Sequence, residues 1–507
     1  MTYASKLREF KELISKIEYI KYTMNSLVYW DKITYMPKDG IEYRSKVMSF
    51  MANEQYKLLT SNQFDDYLKF FDGHKENDVV TESMIKRIKR NSAYVNRIPE
   101  KEYQEYIELI AVAEQVWEEA KAKADFHLFE PYLESIVETF IRFAEYWGYA
   151  DDPYDALLGY YEENLTVSEV DALTEEIKKF LIDFTKEIQE SGEKRQHIKL
   201  PSVEGSRQQA LWEIMLSDLG FQFHAGRVDI GAHPTILANS PSDVRIVNSY
   251  QEDDLKTGIF NVLHEGGRGI YQQSINKELL GTFLAEGASF ALEEAIGRLY
   301  ENVIGRNKGF WTFFHPKLTK LIPELATVSA QEIFEDVNFL QPSLIRLDAD
   351  ELTYTLHVII RYELEKDLIN RRIKVSELPA LWKEKYEKYL GITPSNDREG
   401  ILQDIHWAAG YIGYFPLYFV SNIAATQLTA SIEREHGSFD QLLADGHFDT
   451  INDWLAEHIF QYGAVYSFDQ LMEAAAKEPL NPKYYIDYLR KKYSEVYKLN
   501  LKEKANE

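Results

Sequence analysis

The reading of this chain turns on one stretch, His264-Glu-Gly-Gly-Arg-Gly-Ile-Tyr271. Four of its first five residues fit the zinc-peptidase signature H-E-x-x-H. On a helix, positions 264 and 268 lie four apart and share a face. Two imidazoles at that spacing grip one zinc ion, and the glutamate after the first acts as general base to the metal-bound water. A downstream carboxylate usually supplies the third ligand. Here the fifth residue is Arg268. A guanidinium stays protonated and has no lone pair to offer a metal. A site of two histidines and one carboxylate therefore cannot form at this spacing. Three readings stand: a metalloenzyme lacking a ligand, a peptidase fold put to another use, or an ordinary helix with a chance likeness.

Composition narrows the setting. The chain has 507 residues, 45% of them hydrophobic, with a net charge of −25 and no cysteine. That length supports a large core. No Pro/Ser/Gly-rich linker, low-complexity run or repeat interrupts it, so one continuous domain over residues 1–507 is expected. The acidic balance argues against nucleic acid or an anionic membrane as the main partner. The absence of cysteine removes disulfides, thiolate catalysis and Cys-based metal sites. The N-terminus has no apolar h-region, and no segment reaches the apolar length that spans a bilayer. A cytoplasmic location is the simplest expectation.

Helical periodicity dominates. Leu7, Phe10, Leu13, Ile14 and Ile17 fall on one face of an N-terminal helix. Thr166-Val-Ser-Glu169 is a capping box opening a helix through Leu173, Ile177 and Phe180. The exception is a β-element at about 221–250, where GRVDIGAHPTI and SDVRIVNSY are rich in β-branched residues and turn formers. The motif helices follow at about 255–305. Loops are expected near Gly391–Gly400 and Gly410–Pro416. The fold class is mainly α, with a small sheet beside the H-E-x-x-R helix. A sheet so placed can hold a peptide by strand addition. No phosphate-binding or dinucleotide fingerprint occurs. Gly287-Ala-Ser-Phe-Ala291 misses the nucleophile elbow at its last glycine and reads as helical.

Further blocks carry a resemblance. Trp30-Asp31, Met36-Pro37, Gly40 and Arg44 fit W-D-x-x-T-x-M-P-x-x-G-x-x-x-R. The run starting Tyr154-Asp-Ala-Leu-Leu fits Y-D-x-L-L-x-x-Y-E. Ile345-Arg-Leu-Asp-Ala-Asp350 fits I-R-x-x-A-D. Gly400-Ile-Leu-Gln-Asp-Ile-His-Trp407 fits G-x-x-Q-D-x-H-W, and Gly413-Tyr-Phe-Pro-Leu-Tyr418 follows. In this order, and almost end to end, the chain resembles the carboxypeptidase Taq-type family of metallocarboxypeptidases. The resemblance implies a zincin-like helical cleft, a divalent metal (zinc), peptides with free C-termini as substrates, and a homodimer. It also implies that Arg346 and His406 contact the peptide's C-terminal carboxylate or carbonyl, and that Tyr414 and Tyr418 line the cleft. Equally, Arg346 can pair with Asp348 or Asp350, and the tyrosines can serve packing.

The departures from that family gather at the metal. H-P-F becomes His233-Pro-Thr235, and D-x-R-x-T becomes Asp243-Val-Arg245-Ile-Val247, without the threonine hydroxyl; by resemblance the retained His233 and Arg245 are expected to bind substrate. H-E-S-Q becomes Glu293-Glu294-Ala-Ile296, with Arg298-Leu-Tyr-Glu-Asn302 anchoring the alignment. By resemblance His264 and Glu294 are the surviving ligands and Glu265 the family's general base. Losing the second histidine alone would leave carboxylates around an empty hole, which is costly when buried. Arg268 is therefore expected to pair with Glu294, ideally in bidentate fashion, and also with Glu265 or Glu293, in place of the metal's charge. Glu286 is expected at a solvated helix position, or else in a rebuilt site. The expected function is a weak or inactive carboxypeptidase homologue that keeps its peptide-binding cleft. The alternatives are an active enzyme with an altered ligand set, and a structural or regulatory dimer.

Overall fold

The computed structural model describes residues 2–499 except Lys194, Gln196 and Lys199. The elements that place the site run, in chain order, as α1 (Tyr3–Thr23), α2 (Ile41–Leu59), α3 (Pro153–Tyr161), α4 (Val167–Glu190) and α5 (Gly205–Leu219). Strands β1 (Gly226–Ile230), β2 (Thr235–Ser240) and β3 (Asp243–Asn248) follow. Then come α6 (Leu255–Ser274), α7 (Phe290–Arg298), α8 (Glu351–Ile369) and α9 (Leu378–Leu390). The chain is mainly helical with one small sheet, as its periodicity indicates. No helix among the described residues is long and apolar enough to cross a membrane.

Two compact units make up the chain. The first takes Met1–Arg90, Ile198–Phe334 and Leu428–Pro479; the second takes Asn91–His197, Glu335–Gln427 and Leu480–Glu507. Each unit is assembled from three separated segments, so no linker composition marks either one in the sequence.

In the first unit the sheet has order β1-β3-β2, with β1 parallel and β2 antiparallel to β3. The central strand buries Val244, Ile246 and Val247. Its neighbour is α6, whose start is fixed by Asp254 accepting from the Thr257 amide at 3.1 Å. The glycines of His-Glu-Gly-Gly-Arg-Gly serve close packing. A Cβ at Gly267 would lie 2.5 Å from the Tyr300 ring, and one at Gly269 would lie 2.8 Å from Phe221 and 3.4 Å from Ile246. Each helical glycine costs about 1 kcal/mol relative to alanine. The approach of α6 to the sheet and to Tyr300 requires them nonetheless. Helix α7 begins at Ser289, which accepts from the Leu292 amide at 3.3 Å. It then widens into a π-helical turn, Leu299–Ile304.

In the second unit α4 opens on the expected capping box. Helix α8 is capped by Asp350, which accepts from the Thr353 amide at 3.0 Å. It is buried nearly all round. Such a helix is normally apolar throughout, yet His357, Arg361 and Glu365 recur four residues apart in its sequence and are all buried. Between α9 and Pro416 the chain forms one continuous irregular segment, where two separate loops were expected. Isolated turn bonds such as Ala409 to Ile405 shape it, and buried residues along it, including Leu402, Trp407, Ala408 and Ile412, tie it to the core.

Candidate functional site

In the first unit, α6 and α7 bring the metal-motif residues together as two ionic groups. The first is a closed ring. His264 Nε2 lies 3.4 Å from Glu294 Oε2, and His264 Nδ1 lies 3.0 Å from Glu301 Oε2. Arg298 closes it, with Nε donating to Glu294 at 2.8 Å and Nη1 to Glu301 at 3.2 Å. Burial opposes charging of His264, but Glu294 and Glu301 outweigh it and lift the imidazole to about 9. Burial likewise opposes the Glu294 charge, while Arg298, His264 and Arg268 hold that carboxyl far below its ordinary range. Gly297 makes room for this ring: a Cβ there would sit 2.6 Å from His264 Cε1.

The second group is a clamp around Arg268. Its Nη1 donates to Glu265 Oε2 at 3.2 Å, and its Nη2 to Glu293 Oε2 at 3.2 Å. The arginine side chain is 18% exposed. Burial opposes its charge, and Glu265, Glu293 and Glu294 together keep it firmly protonated. This corrects the expected pairing. Arg268 reaches two carboxylates with one N–H each, and Glu294 is taken by Arg298 and His264 instead. The reason is helical spacing. Arg298 sits four residues after Glu294 on the same helix and meets it locally, leaving Glu293 and Glu265 for Arg268. Sequence reading missed Arg298 and Glu301 as site members, although that same spacing was available to flag the first.

Glu286 also departs from expectation. It lies in the loop before α7, not on a helix, and Gly287–Ser289 share that loop. Lys21 pairs with it at 2.9 Å and Arg87 at 2.5 Å. Burial opposes its charge, but the two cations draw the carboxyl down to about 2. Arg245 on β3 grips Asp243 at 2.8 and 2.9 Å and stacks over Trp30 at 4.6 Å. His233 is exposed in the β1–β2 connection. Arg44 donates to Asp31 at 2.6 Å, which explains the W-D…R spacing.

A tight divalent site needs three or more lone-pair donors on one centre. His264 and Glu294 are two such groups, but position 268 presents N–H donors, and its cation claims oxygens of Glu265 and Glu293. Among the described residues no three His, Asp or Glu side chains are grouped to hold a metal ion. Position 268 therefore adds no lone pair beside His264 and Glu294.

The second unit joins two motifs that read as separate in the sequence. Arg346 donates through Nε and Nη2 to Asp404, at 3.2 and 3.0 Å, and through Nη1 to Tyr354 Oη at 3.0 Å. Arg361 reaches the same aspartate at 2.7 Å. Burial opposes the Asp404 charge, and the two arginines hold that carboxyl well below its ordinary range. Arg346 thus pairs with Asp404 instead of Asp348 or Asp350; Asp350 is spent as the cap of α8. Only 5% of the Arg346 side chain is exposed. His406 is half-buried in an aromatic nest, with ring centroids 4.6 Å from Phe415, 5.9 Å from Tyr414 and 6.2 Å from Tyr411. Burial pushes its imidazole down to about 4, so it is neutral at pH 7. Tyr414 stacks edge-on with Tyr418 at 5.4 Å, and Tyr418 faces the Arg346 guanidinium at 5.5 Å.

Comparisons with known proteins agree along the chain. Residues 9–493 match the model of the carboxypeptidase Taq (M32) metallopeptidase family. Carboxypeptidase 1 of Bacillus subtilis is 39% identical over 499 residues, covering 97% of this chain and 99% of that protein. Thermostable carboxypeptidase 1 of Thermus thermophilus is 34% identical, covering 94% and 96% respectively. The crystal structure of the M32 carboxypeptidase from Deinococcus radiodurans R1 superposes with a TM-score of 0.94 at 29% identity, covering 98% of this chain and 100% of that one. By its motifs, its fold and these likenesses, the chain belongs to the carboxypeptidase Taq metallopeptidase family.

Proposed function

We propose that this chain is a weak or inactive carboxypeptidase homologue that retains binding of peptides with free C-termini. The observation that carries the reading is the placement of Arg268 between Glu265 and Glu293. A metallopeptidase needs an activated water beside a free general base. Here the Glu265 carboxylate is engaged by a permanent cation. For peptide binding, the support is the intact set in the second unit: neutral His406 beside Tyr411, Tyr414 and Phe415. Arg346 donates to Asp404 and Tyr354 and so fixes the segment that carries His406, with a further N–H on Nη1 and on Nη2 left for a substrate carboxylate. The test is metal analysis of the pure protein together with C-terminal residue release in added zinc, cobalt or manganese. Stoichiometric metal with turnover overturns the reading. Peptide binding without turnover supports it, and no peptide binding favours a purely structural or regulatory role.

A second reading, an active enzyme with an altered ligand set, draws on the 3.4 Å approach of His264 to Glu294. Arg268→His separates the two. Gain of metal binding in the variant alone supports the first reading, and metal binding by the parent chain supports the second.

We infer that the partner is a second copy of this chain. Tyr19, Leu27, Tyr35, Tyr43, Phe50 and Tyr56 are all more than half exposed, and α2 buries none of its residues. From Tyr19 to Leu59 there are six Lys/Arg and four Asp/Glu, a balance of +2 in a chain of −25. That face escapes the self-repulsion of the rest, and clustered apolar exposure of this kind marks contact surfaces. A concentration-independent monomer in sedimentation velocity refutes the inference. If it holds, Tyr43→Asp with Phe50→Asp yields monomers.

A further inference from the structure

The stripe His357, Arg361 and Glu365 on α8 is a buried column of titratable and charged side chains. His357 Nδ1 meets Tyr386 Oη at 2.9 Å. Arg361 donates to the His357 carbonyl at 2.7 Å and to Asp404 at 2.7 Å. Glu365, fully buried, accepts three hydrogen bonds. Trp407 Nε1 donates to Oε1 at 2.6 Å, while the Gly413 amide at 2.9 Å and Tyr154 Oη at 2.6 Å both donate to Oε2. Two consecutive members of the column therefore grip the segment 404–413: Arg361 at its start, and Glu365 at Trp407 and at its end. His406 lies between those anchors, and Tyr414 follows the last one directly.

A buried carboxylate without donors is costly, so its presence asks for a role. The segment it holds is neither helix nor strand: it is built of turns, closed by backbone bonds from Ala409 to Ile405, Gly410 to Trp407 and Tyr411 to His406. We infer that Glu365 is a positioning residue: it sets the Trp407–Gly413 span and so orients His406 and Tyr414. This rests on the proposal that those two residues meet the peptide. The arrangement requires the carboxylate specifically. A glutamine keeps the volume but has one acceptor oxygen. If that oxygen faces Gly413 and Tyr154, the amide nitrogen meets the Trp407 N–H. If it faces Trp407, the amide nitrogen meets the Gly413 N–H. Either way one anchor is lost.

Burial raises Glu365 to about 7, against the pull of Tyr154, Trp407, Gly413 and Arg361. The anchoring is therefore best examined at pH 8, where the carboxylate prevails. The experiment uses the full chain with labelled tryptophan indoles, glycine amides and histidine rings, followed by NMR in wild type, Glu365→Gln and the control Glu363→Gln. Glu363 stands two residues away on α8 and is bound by Lys385 and Tyr389 at 2.6 and 2.8 Å, with no contact to the segment. Loss of one charge-assisted bond predicts about tenfold or faster exchange of the Trp407 indole or Gly413 amide in E365Q. A displaced His406 ring resonance is expected with it, and neither change in E363Q. Unaltered exchange and His406 resonance in E365Q, or equal changes in E363Q, overturn the inference. If E365Q does not fold, Tyr154→Phe removes one donor from the same oxygen. A shifted Gly413 or His406 signal then supports the role, and silence refutes it. Peptide affinity measured on wild type judges the binding proposal separately, since the NMR readout needs no peptide. When wild type binds, E365Q weakens affinity about tenfold; unchanged affinity overturns the positioning role.

Discussion

Replacing Arg268 by alanine removes the cation shared by Glu265 and Glu293. Arg268 approaches each carboxylate at 3.2 Å, and the three side chains are only 18%, 10% and 20% exposed. Breaking such a pair costs more than the pair's net worth, because the partners remain buried without compensation; the usual range is about 3–5 kcal/mol. The partial exposure here puts the expectation at the lower end, about 3 kcal/mol. With two compact units in the chain, a single unfolding free energy is poorly defined. The loss is therefore read locally, by amide hydrogen exchange along α6 and α7. About 3 kcal/mol corresponds to roughly 150-fold faster exchange through opening of these helices. A double-mutant cycle sharpens the reading: adding Glu293→Gln to R268A removes one stranded charge and should restore about 1 kcal/mol or more. If R268A speeds exchange in α6 and α7 by less than about fivefold, under 1 kcal/mol, the guanidinium is not holding these carboxylates. The account of Arg268 as the local replacement for a metal charge would then be wrong.

Three further outcomes are expected. Asp404→Asn leaves Arg346 and Arg361 without their shared anion, and should raise exchange in α8 by the equivalent of about 3 kcal/mol or more; a neutral result refutes the clamp. Glu365 has its folded-state value raised from 4.5 to about 7. The folded state therefore holds this proton more tightly than the unfolded chain does, so the stability of the second unit should fall as pH rises from about 4.5 through about 7, while the three donors keep the carboxylate anchored above that range. Glu365→Gln should flatten that slope, measured as local exchange against pH. Gly297→Ala places a methyl 2.6 Å from His264 Cε1. It should displace the imidazole from Glu294 and Glu301 at a cost of about 1–3 kcal/mol, visible as a shifted His264 ring resonance; an unmoved resonance refutes the packing argument.

Much of the fold is legible in the sequence. Periodicity marked the helices, and β-branched clusters marked a small β-element within the 221–250 span, which the structure divides into three strands. The motif blocks marked the family, because their order and spacing repeat over nearly the whole chain. Arg268 was legible as chemistry too, since no arrangement of neighbours gives a guanidinium a lone pair. The partners of that arginine were not. Sequence reading put Glu294 first and Glu265 or Glu293 after it, and the choice depended on which carboxylate Arg298 reached along its own helix.

By itself, then, the sequence determined the helical class, the family, and the presence of a fixed cation where the signature expects a second ligand. These follow from residue type and spacing along one chain. Only the tertiary structure decided how charge is distributed. It divided the metal-motif residues into a His264–Glu294–Arg298–Glu301 ring and an Arg268 clamp, it spent Arg346 on Asp404, and it placed Glu365 under the segment bearing His406. Pairing energies depend on distances of a few ångströms between groups far apart in sequence, and folding sets those distances where spacing cannot.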